Sequence, residues 1–102
     1  MYHLRYLEQA RKSLVQIRRY IAKESRSREI ARTFLAKLTQ QCEQLATLPG
    51  TMGRARPDIG EGMRSLPCGN YVILFKYNND FVEIVHVIEG HRDIEEMFHS
   101  IL

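Results

Sequence analysis

Apolar residues recur along this chain in two rhythms. In YHLRYL, Tyr2 to Leu7, they alternate and include aromatic rings, the pattern of a first strand. The period then lengthens. Leu7, Ala10, Leu14, Ile17 and Ile21 step by three and four, which is one stripe of a helix. Arg11, Lys12, Arg18, Arg19 and Lys23 fall mostly off that stripe, towards water. ESRSRE breaks the pattern: Ser25 or Ser27 can accept a bond from the first amides of a new helix, and Glu29 suits its positive end. Ala31, Phe34, Leu38, Cys42 and Leu45 repeat the helical period until Pro49-Gly50 stops it. Two amphipathic helices with a short polar joint predict an antiparallel hairpin whose stripes both need a sheet.

The stretch TMGRARPDIGEG, Thr51 to Gly62, reads as a loop, with MRSLPC starting a strand after it. NYVILFKY, Asn70 to Tyr77, and FVEIVHVI, Phe81 to Ile88, predict two further strands joined through Asn78, Asn79 and Asp80. A two-residue turn at Asn78-Asn79 sets Phe75 opposite Val82, Ile73 opposite Ile84 and Tyr71 opposite His86. That face is apolar and suited to the helices. The other face pairs Lys76 with Phe81, Leu74 with Glu83 and Val72 with Val85, a mixed surface expected to stay open or to take a partner. IEEMFHSIL predicts a short last helix. Helices grouped on a mainly antiparallel sheet make an α+β fold: an N-terminal strand and helical hairpin, a sheet, and a C-terminal helix.

At 102 residues the chain is long enough for one domain, expected to span 1–102. Fifteen Lys and Arg against 12 Asp and Glu leave a net charge of +3. That tilt suits an acidic partner such as nucleic acid, an acidic protein segment or a ribosome, and equally a solvated basic surface. Cys42 and Cys68 have no CxxC spacing and read as reduced thiols of a cytoplasmic protein. His3, His86, His91 and His99 lack metal-ligand spacing, so neither metal nor cofactor is expected. No apolar run approaches the ~18 residues of a membrane helix.

The chemistry-bearing stretch is HVIEGHRD, His86 to Asp93, where a strand runs into glycine and then into His91 and Arg92. Arg92 beside Asp93 and near Glu89 reads either as an ion pair bracing the last helix or as a grip on carboxylate or phosphate. Arg64, at a strand start, carries the same two readings. Arg54 and Arg56 sit on a glycine-rich loop, where charges serve function or simply meet water.

Three segments in this order, LATLPGTMGRARPDI, GMRSLPCGNYVILFKY and IVHVIEGHRDIEEMF, resemble the ParE branch of the ParE/RelE superfamily of bacterial toxins. The resemblance covers nearly the whole chain. It implies the toxic half of a type II toxin–antitoxin pair, inhibiting DNA gyrase by trapping its DNA-cleaved state. The alternative it carries is a ribosome-dependent mRNA endonuclease of the RelE type. In such nucleases lysines precede the second strand, an arginine follows the next strand's tyrosine, and a tyrosine lies in the last helix. On this chain those places fall at Gly60 and Gly62, Val72 and Phe98, and only Arg92 survives. If the chain cuts RNA, Arg64, His91 and Arg92 are its candidates, but no catalytic residue is expected. Each missing acid–base or charge-stabilising group typically contributes ~10²–10⁴-fold, so binding is the favoured mode.

The resemblance also implies a ParD-like antitoxin, expected on the face of Val72, Leu74 and Val85 with Arg54 and Arg64 at its rim. Contacts to gyrase are expected from Arg54, Arg56, Arg92, Met97, Phe98, Ile101 and Leu102. Operator DNA would be reached only through the antitoxin, and no membrane is involved.

Overall fold

The computed structural model describes residues 2–48 and 52–90. The first strand, β1, runs His3–Tyr6. The helix α1 follows over Glu8–Ser25, and Arg26 ends it in the left-handed region at φ 56°. Ser27, not Ser25, caps α2, Arg28–Thr47, its hydroxyl accepting the Ile30 amide at 3.1 Å. Ser25 instead donates to the Ile21 carbonyl of its own helix. The predicted stripes are the buried ones: Ala10 and Ile17 on α1, and Ala31, Leu38, Cys42 and Leu45 on α2. Leu14, Ile21 and Phe34 pack at the margin of the same core.

The sheet order is β1-β5-β4-β3-β2, with β2 at Arg54–Ala55, β3 at Arg64–Cys68, β4 at Tyr71–Asn78 and β5 at Phe81–Glu89. β1 lies parallel to β5, and the remaining pairs are antiparallel. A strand within the glycine-rich stretch was not expected. The two residues of β2 pair with Ser65 and Arg64 and extend the sheet by one short edge.

The β4–β5 hairpin corrects the predicted register. Asn78 pairs with Phe81, so the turn is Asn79-Asp80, and Asn79 takes the positive φ of 54°. Phe75 therefore faces Ile84 instead of Val82, a slip of two residues that preserves the faces. Beyond Phe75 the pairing shifts again: Leu74 faces His86 and leaves Val85 as an extra residue, a β-bulge. Tyr71 ends opposite Glu89 instead of His86. After the bulge Val87 joins Ile73 and Tyr71 in the core beneath the helices. The predicted C-terminal helix lies outside the described residues.

Candidate functional site

The stretch from Met52 to Met63 folds back over the sheet, held by its own Arg56 and by Arg64 of β3. Arg64 donates from Nε to the Met52 carbonyl at 2.6 Å and from Nη2 to the Gly53 carbonyl at 3.1 Å. Gly53 is required there: its φ is +73°, and a Cβ would lie 2.6 Å from the Ser65 carbonyl oxygen. Arg56 grips Asp58 with two bonds, Nε to Oδ1 at 3.0 Å and Nη2 to Oδ2 at 2.7 Å. The hydrogen bonds from Arg56 hold the Asp58 carboxyl below its ordinary range. Arg54 stays exposed on β2. With Arg56, Ser65, Pro67 and Val72 it lines a cavity of about 410 Å³ at the sheet edge.

The sheet face away from the helices is not the open surface expected. Ile59 and Met63 come from the loop and pack on Val72, Leu74 and Ile88, making a second small core. Val72 and Leu74 are 1% and 0% exposed, so the chain itself covers two of the three apolar residues assigned to the antitoxin. Val85 remains half-buried at the edge of that cluster. Farther along the face, the buried Glu83 carboxylate accepts from Arg5 at 3.1 Å and from Asn78 at 3.3 Å, with Lys76 at 4.0 Å. The Arg5 guanidinium lies 3.6 Å from the Phe81 ring centroid, a cation–π contact.

The bulge decides the position of His86. Its Nδ1 accepts the Val87 amide at 3.1 Å and meets the Ser13 hydroxyl of α1. With Nδ1 an acceptor, the ring proton sits on Nε2. The single proton of Ser13 is shared between that contact and the Gln9 carbonyl, 2.8 Å away. Burial pushes the His86 pKa down, favouring the neutral ring. Tyr20, Tyr71 and Glu89 complete a small cavity of about 220 Å³ beside it. Burial also raises the Tyr71 phenol, as does the charge of Glu89.

On the outer side of the hairpin, α1 and α2 enclose a groove of about 650 Å³. Its floor includes Leu14, Val15, Ala31 and Leu35, and four arginines stand over it: Arg18 and Arg19 from α1, Arg28 and Arg32 from α2. Among the described residues, no carboxylate lines it. From sequence, the basic first helix and the SRSR joint read as a solvated face, or as a surface that meets DNA backbone or an acidic antitoxin. The signal for a groove was the small apolar set Val15, Ala22 and Ala36, which stands off the core stripes and between the cations.

The structure thus brings Arg54 and Arg56 together at the sheet edge, while Arg64 braces the loop. Among the described residues, no group of three His, Cys, Asp or Glu is arranged to hold a metal ion, and no helix is long and apolar enough to cross a membrane. His91, Arg92, Met97, Phe98, Ile101 and Leu102 lie outside the described residues.

A helical pair on one face of a five-stranded mixed sheet, with the first strand parallel to the last, is an α+β architecture found in a known toxin system. A solved chain of the chromosomal ParDE TA system from P. aeruginosa shares it with a TM-score of 0.76, over 89% of this chain and 98% of that one. Their identity is 18%, so the likeness is one of fold. The sequence carries the assignment further: residues 4–94 match the model of the ParE toxin of type II toxin-antitoxin system, parDE, and the chain belongs to that family. No curated protein sequence matches it.

Proposed function

We propose that this ParE-family toxin poisons DNA gyrase by adhesion, holding the DNA-cleaved state more tightly than the resealed one, and that a ParD-like antitoxin neutralises it. A binder that prefers one state shifts the population towards it without chemistry of its own. One observation favours this reading over RNA cleavage: three of the described candidates for phosphate chemistry, Arg56, Arg64 and His86, already have structural work. Arg64 is bonded to two loop carbonyls, Arg56 to Asp58, and His86 is turned into the helix–sheet contact against Ser13. A general base must reach the proton it removes, and the half-buried His86 has its Nδ1 already engaged by the Val87 amide and the Ser13 hydroxyl.

The antitoxin contact is best carried by the exposed Arg54 and the half-buried Val85, with Arg64 beneath the rim. Val72 and Leu74 support that surface from below and become direct contacts only if the antitoxin displaces Ile59 and Met63. The gyrase contact draws on Arg54 and Arg56 together with Arg92, Met97, Phe98, Ile101 and Leu102. Operator DNA is reached through the antitoxin, and the pair acts in the cytoplasm.

The test is a supercoiling assay with gyrase, ATP and plasmid, with and without antitoxin. Linear DNA should accumulate with toxin alone and vanish when the antitoxin is added. New 5′ ends on translated messages, erased by His91→Ala or Arg92→Ala while gyrase works normally, would establish the nuclease instead.

A further inference from the structure

The hairpin groove plays no part in the reading above, and its chemistry is one-sided. Arg18, Arg19, Arg28 and Arg32 surround it, all are exposed, and none forms an ion pair among the described residues. Nine of the chain's 15 Lys and Arg fall in residues 8–47, against four of its 12 acidic residues, so the hairpin is more basic than the rest. Cations packed on one surface repel each other and wait for a polyanion.

We propose that this groove and its flanks grip the phosphate backbone of duplex DNA. Three features favour a nucleic-acid backbone over an acidic protein segment. All four cations at the groove are arginine, whose planar fork pairs with phosphate oxygens two at a time. The apolar floor suits the aliphatic stems of arginines whose charged ends stay in water. The cations also run past the groove: Arg11 lies two helical turns before Arg18, and Arg26 lies at the far end of α1. From Arg11 to Arg26 the helix rises roughly 22 Å at 1.5 Å per residue. A DNA strand presents one phosphate every ~3.4 Å of axis, so that track parallels about six of them. A short acidic segment seated in the groove would leave its outer cations unmatched.

The inference rests on the gyrase reading for its setting. A toxin that stabilises cleaved DNA on an enzyme gains from holding the DNA as well. Contacts to phosphate carry no sequence information, so the grip is sequence-neutral.

The experiment is fluorescence anisotropy of the purified full chain with a labelled 20-base-pair duplex across a salt series, without gyrase. Binding should weaken with salt along a log–log slope of about −5, as expected for about six phosphates. Replacing Arg18, Arg19, Arg28 and Arg32 together with Gln should make the slope shallower by about 3–4. Glutamine keeps the helices, and circular dichroism verifies the fold. Lys37→Gln, on the far flank of α2, should leave the slope unchanged. An unaltered slope in the fourfold variant overturns the proposal. So does a glutamate-rich helical peptide that binds the groove where the duplex does not. Gyrase poisoning by a wild-type chain that ignores DNA would sink this inference alone. DNA binding without poisoning would sink the functional reading alone.

Discussion

Arg5 and Glu83 face each other across the parallel edge of the sheet, β1 against β5, with Nη1 3.1 Å from Oε2. Glu83 is 5% exposed, a carboxylate taken almost wholly out of water. Its partners Arg5 and Lys76 reach it from the strands on either side. The pair therefore ties the N-terminal strand to the centre of the molecule.

Removing Arg5 should accordingly cost more than an ordinary surface ion pair. Arg5→Ala leaves a buried carboxylate with only Lys76 and Asn78, and a destabilisation of about 1–3 kcal/mol is expected. Glu83→Gln in the same chain should restore part of that loss, because the stranded charge is gone. Urea unfolding midpoints of the two single variants and the double variant measure the effect.

Gly53 and Gly62 share a positive φ and differ in their surroundings. At Gly53 a methyl group meets the Ser65 carbonyl and the Phe75 ring, while at Gly62 it meets nothing within 4 Å. Gly62→Ala should cost about 1 kcal/mol, from backbone strain alone. Gly53→Ala should cost at least twice that, as β2 and the rim of the cavity shift. Thermal melts rank the two.

His86 makes the fold sensitive to acid. Its folded pKa lies below the ordinary 6.5, so the unfolded chain takes up the proton first. The stability tied to the neutral ring is complete above about 6.5 and falls as pH drops from there towards the folded pKa. His86→Gln should flatten that part of a stability profile taken between pH 8 and pH 5. An unchanged profile would mean that the half-buried ring does not control it.

Arg64 braces the loop that covers Val72 and Leu74. Arg64→Ala removes its charged donors from the Met52 and Gly53 carbonyls, and a loss of about 1.5–3 kcal/mol is expected. Amide exchange over residues 52–63 should accelerate before that of β4 and β5. Any drop in toxicity should then parallel the loss of folded protein, as befits a brace.

The helices and the α+β class were legible because the stripes through Ala10 and Ile17, and through Leu38 and Cys42, are long and strictly periodic. The ParE resemblance was legible from the same chain and agrees with the family match. The hairpin register was not. Either Asn78-Asn79 or Asn79-Asp80 satisfies turn chemistry, and because the two registers keep the same faces the apolar pattern does not choose between them. The bulge at Val85 has no local signature, yet it sends His86 to Ser13 and Val87 to the core. The cover over Val72 and Leu74 was visible only as two apolar residues, Ile59 and Met63, at a glycine-rich stretch. A lone isoleucine in such a stretch does not announce what it will touch. The groove arginines were hidden for a related reason: helical periodicity separates core from solvent but does not show when two solvent-facing edges converge.

The parallel pairing of β1 with β5 joins His3–Tyr6 to a strand that begins at Phe81. During synthesis, the first strand must wait for both helices and three further strands to be made before its neighbour exists. The nascent helical pair therefore lacks its central backing until β5 emerges, and the edge formed by β1 closes last.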